Sequence, residues 1–217
     1  YYELAEDARL HVSRLESGLT KTIIYDQRHS VLAARARADF YAAELGGEKI
    51  IVHSYGKLSG DDSEMNERAI YAGRGKQHLD FFYHIDHVGK KTKAEIDLKG
   101  ALADESKKIF RGTLDFKRGC AGSVGDEGDF AIQLDPKTKN ISLPLLLCTE
   151  DDVQGNHASS AGQLDQNTIY FLMSRGFTLK EARRIVVEAL IRPIIDGMDE
   201  ALREEVLNAV RMKLDRE

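Results

Sequence analysis

The residues of this chain best equipped for chemistry are a few histidines, the acids near them, and two cysteines. His157 stands in "EDDVQGNHASSAGQLDQNTIYFLMSRGF", residues 150–177, where an acidic extended run meets a helix-like pattern. An imidazole there can ligate iron or zinc, or exchange protons near neutral pH. A single histidine makes no metal site, so further ligands must come from elsewhere in the fold or from another subunit. The other reading is a hydrogen-bonded structural histidine. His78, His84, Asp86 and His87 form a second group. On a strand His84 and Asp86 share one face and His87 points to the other. These side chains do not converge locally, and packing with hydrogen bonding is their expected role.

Cys120 lies in "KRGCAGSVGDEG", where Lys117 and Arg118 can lower its pKa. A solvent-exposed or half-buried bystander thiol is expected. Cys148 ends the apolar run "LPLLLC" and reads as a core residue. "GSVGDEG" lacks the lysine and hydroxyl of a phosphate loop and reads as a turn. The sequence contains no nucleophile elbow, HExxH or paired nucleotide-binding motif.

These residues sit on 217 positions, 42% hydrophobic and 31% charged, the balance of a soluble globular chain. The net charge is -5 with both signs interspersed, so no nucleic-acid partner is expected. No apolar run approaches a membrane span. "YYELAEDARLHV" is not a signal peptide, and its lack of a starting Met suggests residues upstream. Two cysteines without a C-x-x-C spacing point to a reducing, cytoplasmic setting and to no thiolate-only zinc site.

The elements that must position these groups divide near residue 150. Before it, β-like runs recur every 10–15 residues or so: "KIIVHSYG", "HLDFFYHIDHV", "KAEIDLKG", "KIFRGTLDF" and "ISLPLLLC". That spacing suits a sandwich, a barrel or a solenoid. "SVLAARARADFYAAEL", residues 30–45, is alanine-rich and passes as a helix on propensity. After residue 160 three helices are expected. The first is capped by Asp165 and stopped by Gly176. The second opens on a Thr178–Glu181 capping box, carries Ala182, Ile185, Val186 and Ala189 on one face, and is ended or kinked by Pro193. The third carries Leu202, Val206, Ala209 and Val210. In a β-helix, such a helical segment can cap the open end of the stack.

Two long stretches resemble the SufB/SufD family of iron–sulfur cluster assembly proteins. "GRGKQHLDFFYHIDHVGKKTKAEIDLKGALADESKKIFRGTLDFKRGCAG" is similar to the family's first pattern at Gln77 and His78, Asp86 and His87, Lys99 and Gly100, Asp104 and Ser106, and Phe110 and Gly112. "EDDVQGNHASSAGQLDQNTIYFLMSRGFTLKEARRIVVEAL" looks like the second, with His157, then Gly162, Gln163, Leu164 and Asp165. The likeness runs from about residue 45 to the end.

The resemblance implies a mostly β fold: a right-handed parallel β-helix core over 1–160 and a C-terminal helical domain over 161–217. It implies a scaffold rather than an enzyme, closer to SufD than to SufB. The implied partners are a SufC-like ABC-type ATPase and a second SufB/SufD-like chain, as homo- or heterodimer. The ATPase would dock around Thr178, Glu181, Ala182, Arg183, Arg184, Ile185, Val186 and Ala189. His157 matches a signature histidine implicated in cluster assembly or iron entry, and so becomes an iron or cluster ligand candidate. This chain departs from the family at Gly155, where many SufD-like members carry Cys, and at "KTKNIS", where SufB-like members have a cysteine nearby. The depleted ligand set leaves open a transient cluster or iron, and equally none held by this chain alone. It also leaves open a paralogue that docks the ATPase and binds no cluster. A β-helix polysaccharide hydrolase or lyase is the enzyme-class alternative, disfavoured by the cytoplasmic cysteine usage.

Overall fold

The computed structural model describes residues 1–18 and 21–215. Strands alternate between two sheets. One sheet holds β1 (Tyr2–Leu4), β3 (Ile23–Leu32), β5 (Lys49–Leu58), β7 (His78–His87), β9 (Lys107–Phe116) and β11 (Lys139–Cys148). The other holds β2 (Arg9–Glu16), β4 (Arg37–Glu44), β6 (Glu64–Gly73), β8 (Lys93–Leu102), β10 (Ser123–Gln133) and β12 (Val153–Gln163). All pairings are parallel: Lys49 lies beside His78, and His78 beside Lys107. The chain therefore climbs as a β-solenoid, one turn per roughly 30 residues. The expected β-helix body with a helical C-terminal segment is the fold observed.

Alternation along each strand builds the interior. On β7 Leu79, Phe81, Tyr83, Ile85 and His87 are buried while their neighbours are half-exposed. They pack with Phe110, Leu114, Ile96 and Leu98 in one core between the sheets. Each large apolar side chain there contributes about 1.5–3 kcal/mol through burial. The turns are stacked by carboxylates that accept backbone N–H groups one coil away. Asp104 Oδ2 accepts from Gly75 at 2.8 Å, and Asp135 Oδ2 accepts from Asp104 at 2.7 Å. Gly75 (φ 62°) and Asp104 (φ 58°) hold the same left-handed turn position in successive coils, which glycine and aspartate tolerate best.

The structure corrects several expectations. Residues 30–45 form no helix: they are the end of β3, a turn, and β4. Alanine suits a helix, but tertiary packing places Ala38, Phe40 and Ala42 inside the solenoid. "GSVGDEG" is not a turn; from Ser123 on it is part of β10, paired with β8 and β12. Cys120 is fully buried in the core, and burial pushes its thiol up despite Lys117 and Arg118. Cys148 is exposed, because nothing stacks on β11.

Among the described residues three helices follow: α1 (Gln166–Ser174), α2 (Leu179–Gly197) and α3 (Glu200–Asp215). Asp165 caps α1 by accepting from the Asn167 and Thr168 N–H groups, and Gly176 follows at φ 96°. The Thr178–Glu181 capping box is formed. Pro193 does not end α2, which continues to Gly197. The buried face of α2 is Ala182, Val187, Ile191, Ile194 and Ile195; Ile185 and Val186 are half-buried and Ala189 is exposed. These helices do not cap the open end. They lie on the outer surface of the second sheet, where Val187, Ile191, Val206 and Val210 cover Ala43, Ile70, Ala72 and Ala101. The run reaches back to the first coils, for the Asp199 N–H donates to Ser13 Oγ at 2.8 Å. Arg74 Nη1 donates to the Lys213 and Leu214 carbonyls at the end of α3. The last coil, β11 with β12, is left uncovered, and β12 is exposed along nearly its whole length.

Candidate functional site

His157 lies at the centre of this uncovered coil. Register places it beside Glu127 of β10, which in turn lies beside Ile96 of β8. Ser123, Gly125, Glu127, Asp129 and Ala131 are the buried positions of β10, so the matching positions of β12, among them His157, face the solenoid interior. The His157 side chain is exposed because no further coil covers it. Beneath the rim the interior is polar. The Lys108 ammonium donates to Asp129 Oδ1 and, at 3.2 Å, to the Tyr71 hydroxyl. Burial pulls the Lys108 amine down against the pull of Asp129. Glu127 is 3% exposed, no side chain donates to its carboxylate, and the Leu145 backbone N–H points towards it. Burial first, and the Asp129 carboxylate second, push its carboxyl up to about 8.

The second histidine group resolves into two environments. His87 is buried, shares a 2.7 Å hydrogen bond between Nδ1 and Thr92 Oγ1, and stacks on Phe116. Burial lowers its imidazole to about 4 against Asp86 and Asp115. On the outer face His84 Nε2 lies 3.0 Å from Asp86 Oδ1, and Asp115 of the next coil joins them with donors within 4.8 Å of one another. Asp115 was missed in the sequence because only the solenoid register brings it beside Asp86. Lys117 Nζ is 3.3 Å from Asp86 Oδ1 and also donates to Asp115, so an ammonium already neutralises this cluster.

At the helical end, Tyr170 (76% exposed) and Phe171 (55%) of α1 project into solvent, with Met173, Phe177 and Leu179 beside them in sequence. Of the residues singled out on α2 and its cap, Thr178 and Ala189 are exposed, Glu181, Arg183, Arg184, Ile185 and Val186 are half-buried, and Ala182 is buried. A cleft of about 320 Å³ lies between this end and the solenoid, lined by Arg74, Lys180, Arg183 and Arg184. Its cations are largely committed: Arg74 and Lys180 donate to carbonyls at the end of α3, and Arg184 pairs with Asp215.

The family model for the SUF system FeS cluster assembly, SufBD core domain, matches residues 2–190. The chain belongs to the SufBD family. It is 26% identical over 204 residues to the iron–sulfur cluster assembly protein SufD of Bacillus subtilis, covering 94% of this chain and 46% of that protein. To SufD of Escherichia coli it is 20% identical over 95% of this chain and 50% of that protein. To a SufBD family protein of Mycobacterium leprae it is 24% identical, over 95% and 55%. The chain thus spans about half the length of these curated relatives.

Several residues of the SufBD resemblance carry structure in this chain. Gln77 is buried and its Nε2 donates to the Gly46 and Gly47 carbonyls, while its Oε1 accepts from Lys213 Nζ at 2.7 Å. It ties two coils to α3. His78 is half-buried with no partner for Nε2. Gly162 and Gln163 close β12, Leu164 packs against Ile169 and Ala182, and Asp165 caps α1. Phe110 is core, and Gly112 has no room for a Cβ because Glu127 Oε1 occupies the space. Glu127 carries no signal of its own in the sequence, since it lies in the glycine-rich stretch "GSVGDEG" whose composition suits a turn.

Proposed function

We propose that this chain is a SufD-like scaffold subunit for iron–sulfur cluster assembly, acting in the cytoplasm with a SufC-like ABC-type ATPase and a second SufB/SufD-like chain. The observation that carries the ATPase partnership is the apolar side of α1 and the α1–α2 turn. Tyr170 and Phe171 expose large aromatic surface, an arrangement that marks interaction sites. Arg183, Arg184 and the α2 capping box adjoin them in sequence. The second chain would meet the uncovered coil, whose outermost strands offer unpaired backbone groups and where Leu143, Leu145 and Leu147 are exposed. Iron or a nascent cluster is cargo in this reading. The donor types at the rim suit it: an exposed imidazole at His157, the buried Glu127 carboxylate below, and the exposed free thiol of Cys148 at the end of β11. The scaffold holds and passes on the cargo and is not itself an enzyme.

Docking is tested by capture of the SufC-like ATPase from the same genome. The wild-type chain binds it, and the Tyr170→Ala/Phe171→Ala double variant loses binding at least tenfold. Equal binding by both forms removes the docking surface. Truncation after Gly162 is a poorer probe, because it strips the cover from Ala43, Ile70 and Ala101.

A second reading has support at Gly155, which offers no thiol on the inward face of β12. In it, the chain docks the ATPase and binds no cluster. Anaerobic reconstitution with iron and sulfide, with a His157→Ala control, separates the two.

A further inference from the structure

Asp86 and Asp115 are like charges set side by side on the outer face of the first sheet. They are register partners on β7 and β9, so their carboxylates repel unless a cation lies between them. Asp115 is buried and Asp86 half-buried, and partly buried charges are screened little by salt. His84 precedes Asp86 by two residues on the same strand face, and its Nε2 lies 3.0 Å from Asp86 Oδ1. The three side chains, drawn from two successive coils, bring one ligand atom each to within 4.8 Å of the others. One imidazole and two carboxylates gathered on one side suit a first-row divalent ion, with water on its outward positions. The last coil takes no part, because His157 belongs to the other sheet. The charge that now lies between the two carboxylates is the Lys117 ammonium, 3.3 Å from Asp86 Oδ1 and donating to Asp115 Oδ2. It is a loose occupant. Its side chain is 44% exposed, its flexible stem can carry the ammonium out into water, and ion pairs this exposed hold weakly. It brings one charge and bridges two of the three ligands, whereas a divalent ion brings two and uses all three. Lys57, in register with Asp86 from the preceding coil, is exposed.

We propose that His84, Asp86 and Asp115 bind a divalent first-row transition-metal ion on the outer face of the solenoid, and that Lys117 holds the place until the ion displaces it. The two carboxylates then neutralise the ion, and the released ammonium points into solvent. The site uses neither His157 nor the exposed face of α1, so it stands apart from the scaffold reading. It also gives Lys117 a defined effect: removing its charge takes away a competitor and strengthens metal binding.

The experiment is a titration of the full chain with Mn²⁺, followed by loss of the free-ion electron paramagnetic resonance signal. Expected are affinity at least tenfold weaker in His84→Gln and in Asp86→Asn, at least threefold tighter in Lys117→Gln, and unchanged in His157→Ala. No binding by the wild type, or wild-type affinity in Asp86→Asn, overturns the proposal. Unchanged or weaker binding in Lys117→Gln overturns the displacement. Loss of binding in His157→Ala with none in His84→Gln moves the ion to the last coil and overturns the site. If Asp86→Asn gives no cooperative melt, the Mn²⁺-loaded chain labelled with ¹⁵N at histidine decides. Electron–nuclear coupling to an imidazole nitrogen is expected in the wild type and in His157→Ala, and its absence from either overturns the site. ATPase capture and cluster reconstitution involve none of these three ligands, so failure of the scaffold reading and failure of this site are told apart.

Discussion

His87 and Glu127 are both ionisable, both inward-facing and both buried, yet they carry different weight. His87 has a hydrogen bond to Thr92 and a stacked ring against Phe116, so the neutral imidazole is at home. Its pKa, lowered to about 4 by burial, has a stability consequence. The unfolded chain takes up this proton below about 6.5 and the folded chain resists it. The contribution is therefore complete above about pH 6.5 and is lost as pH falls towards 4. Glu44 works in the opposite direction. Burial raises it to about 7, so its folded form favours the proton and its contribution is lost as pH rises from the ordinary carboxylate range to 7. The two slopes offset in the wild type, and a difference measurement isolates one. His87→Gln should be destabilising at pH 7 and less so at pH 4.5, by about 2–3 kcal/mol. Urea midpoints at the two pH values check this; equal penalties at both would remove the titration of His87.

Among the elements, α2 is the most informative. Its capping box and the Asp165 cap of α1 depend on residues two or three positions apart, and both form as the spacing predicts. Its buried face depends on what it lies against, and there the stripe shifts towards Val187, Ile191, Ile194 and Ile195. Those side chains meet strand ends that are apolar on their outer face, such as Ala43 and Ala101. Ile194→Ala should therefore cost about 2–4 kcal/mol through lost burial and a cavity. Ala189→Ser, on the same helix but exposed, should change stability by less than about 0.5 kcal/mol. Chemical denaturation of both variants tests the assignment of faces, and a large effect at Ala189 with none at Ile194 would reverse it.

At the scale of the molecule the asymmetry of the two solenoid ends matters most. The helices run back over the second sheet towards the first coils, so they stabilise the body and leave the last coil bare. An uncovered solenoid end with unpaired strand edges and exposed leucines is a self-association hazard unless a partner takes it. The isolated chain is expected to dimerise through β11 and β12. Light scattering should give about twice the chain mass, and Leu145→Asp, on the exposed face of β11, should shift it to monomer. A monomer at high concentration for the wild type would count against this pairing. No helix among the described residues is long and apolar enough to cross a membrane.

The sequence by itself determined the features that rest on neighbours along the chain. These are the β-like runs, the caps at Asp165 and Thr178, and the two motifs that resemble the SufBD family. What only the tertiary structure decided depends on residues about one coil apart or more. Residues 30–45 are strand because their small alanines fit between the sheets on one side and under the helices on the other, which propensity does not record. Cys120 is core and Cys148 is rim because coils stack on one and end at the other. Asp115 joins His84 and Asp86, and Glu127 lies under His157, because parallel register converts a separation of roughly 30 residues into adjacency. Turn lengths between coils vary, so that register is legible only once the chain has folded.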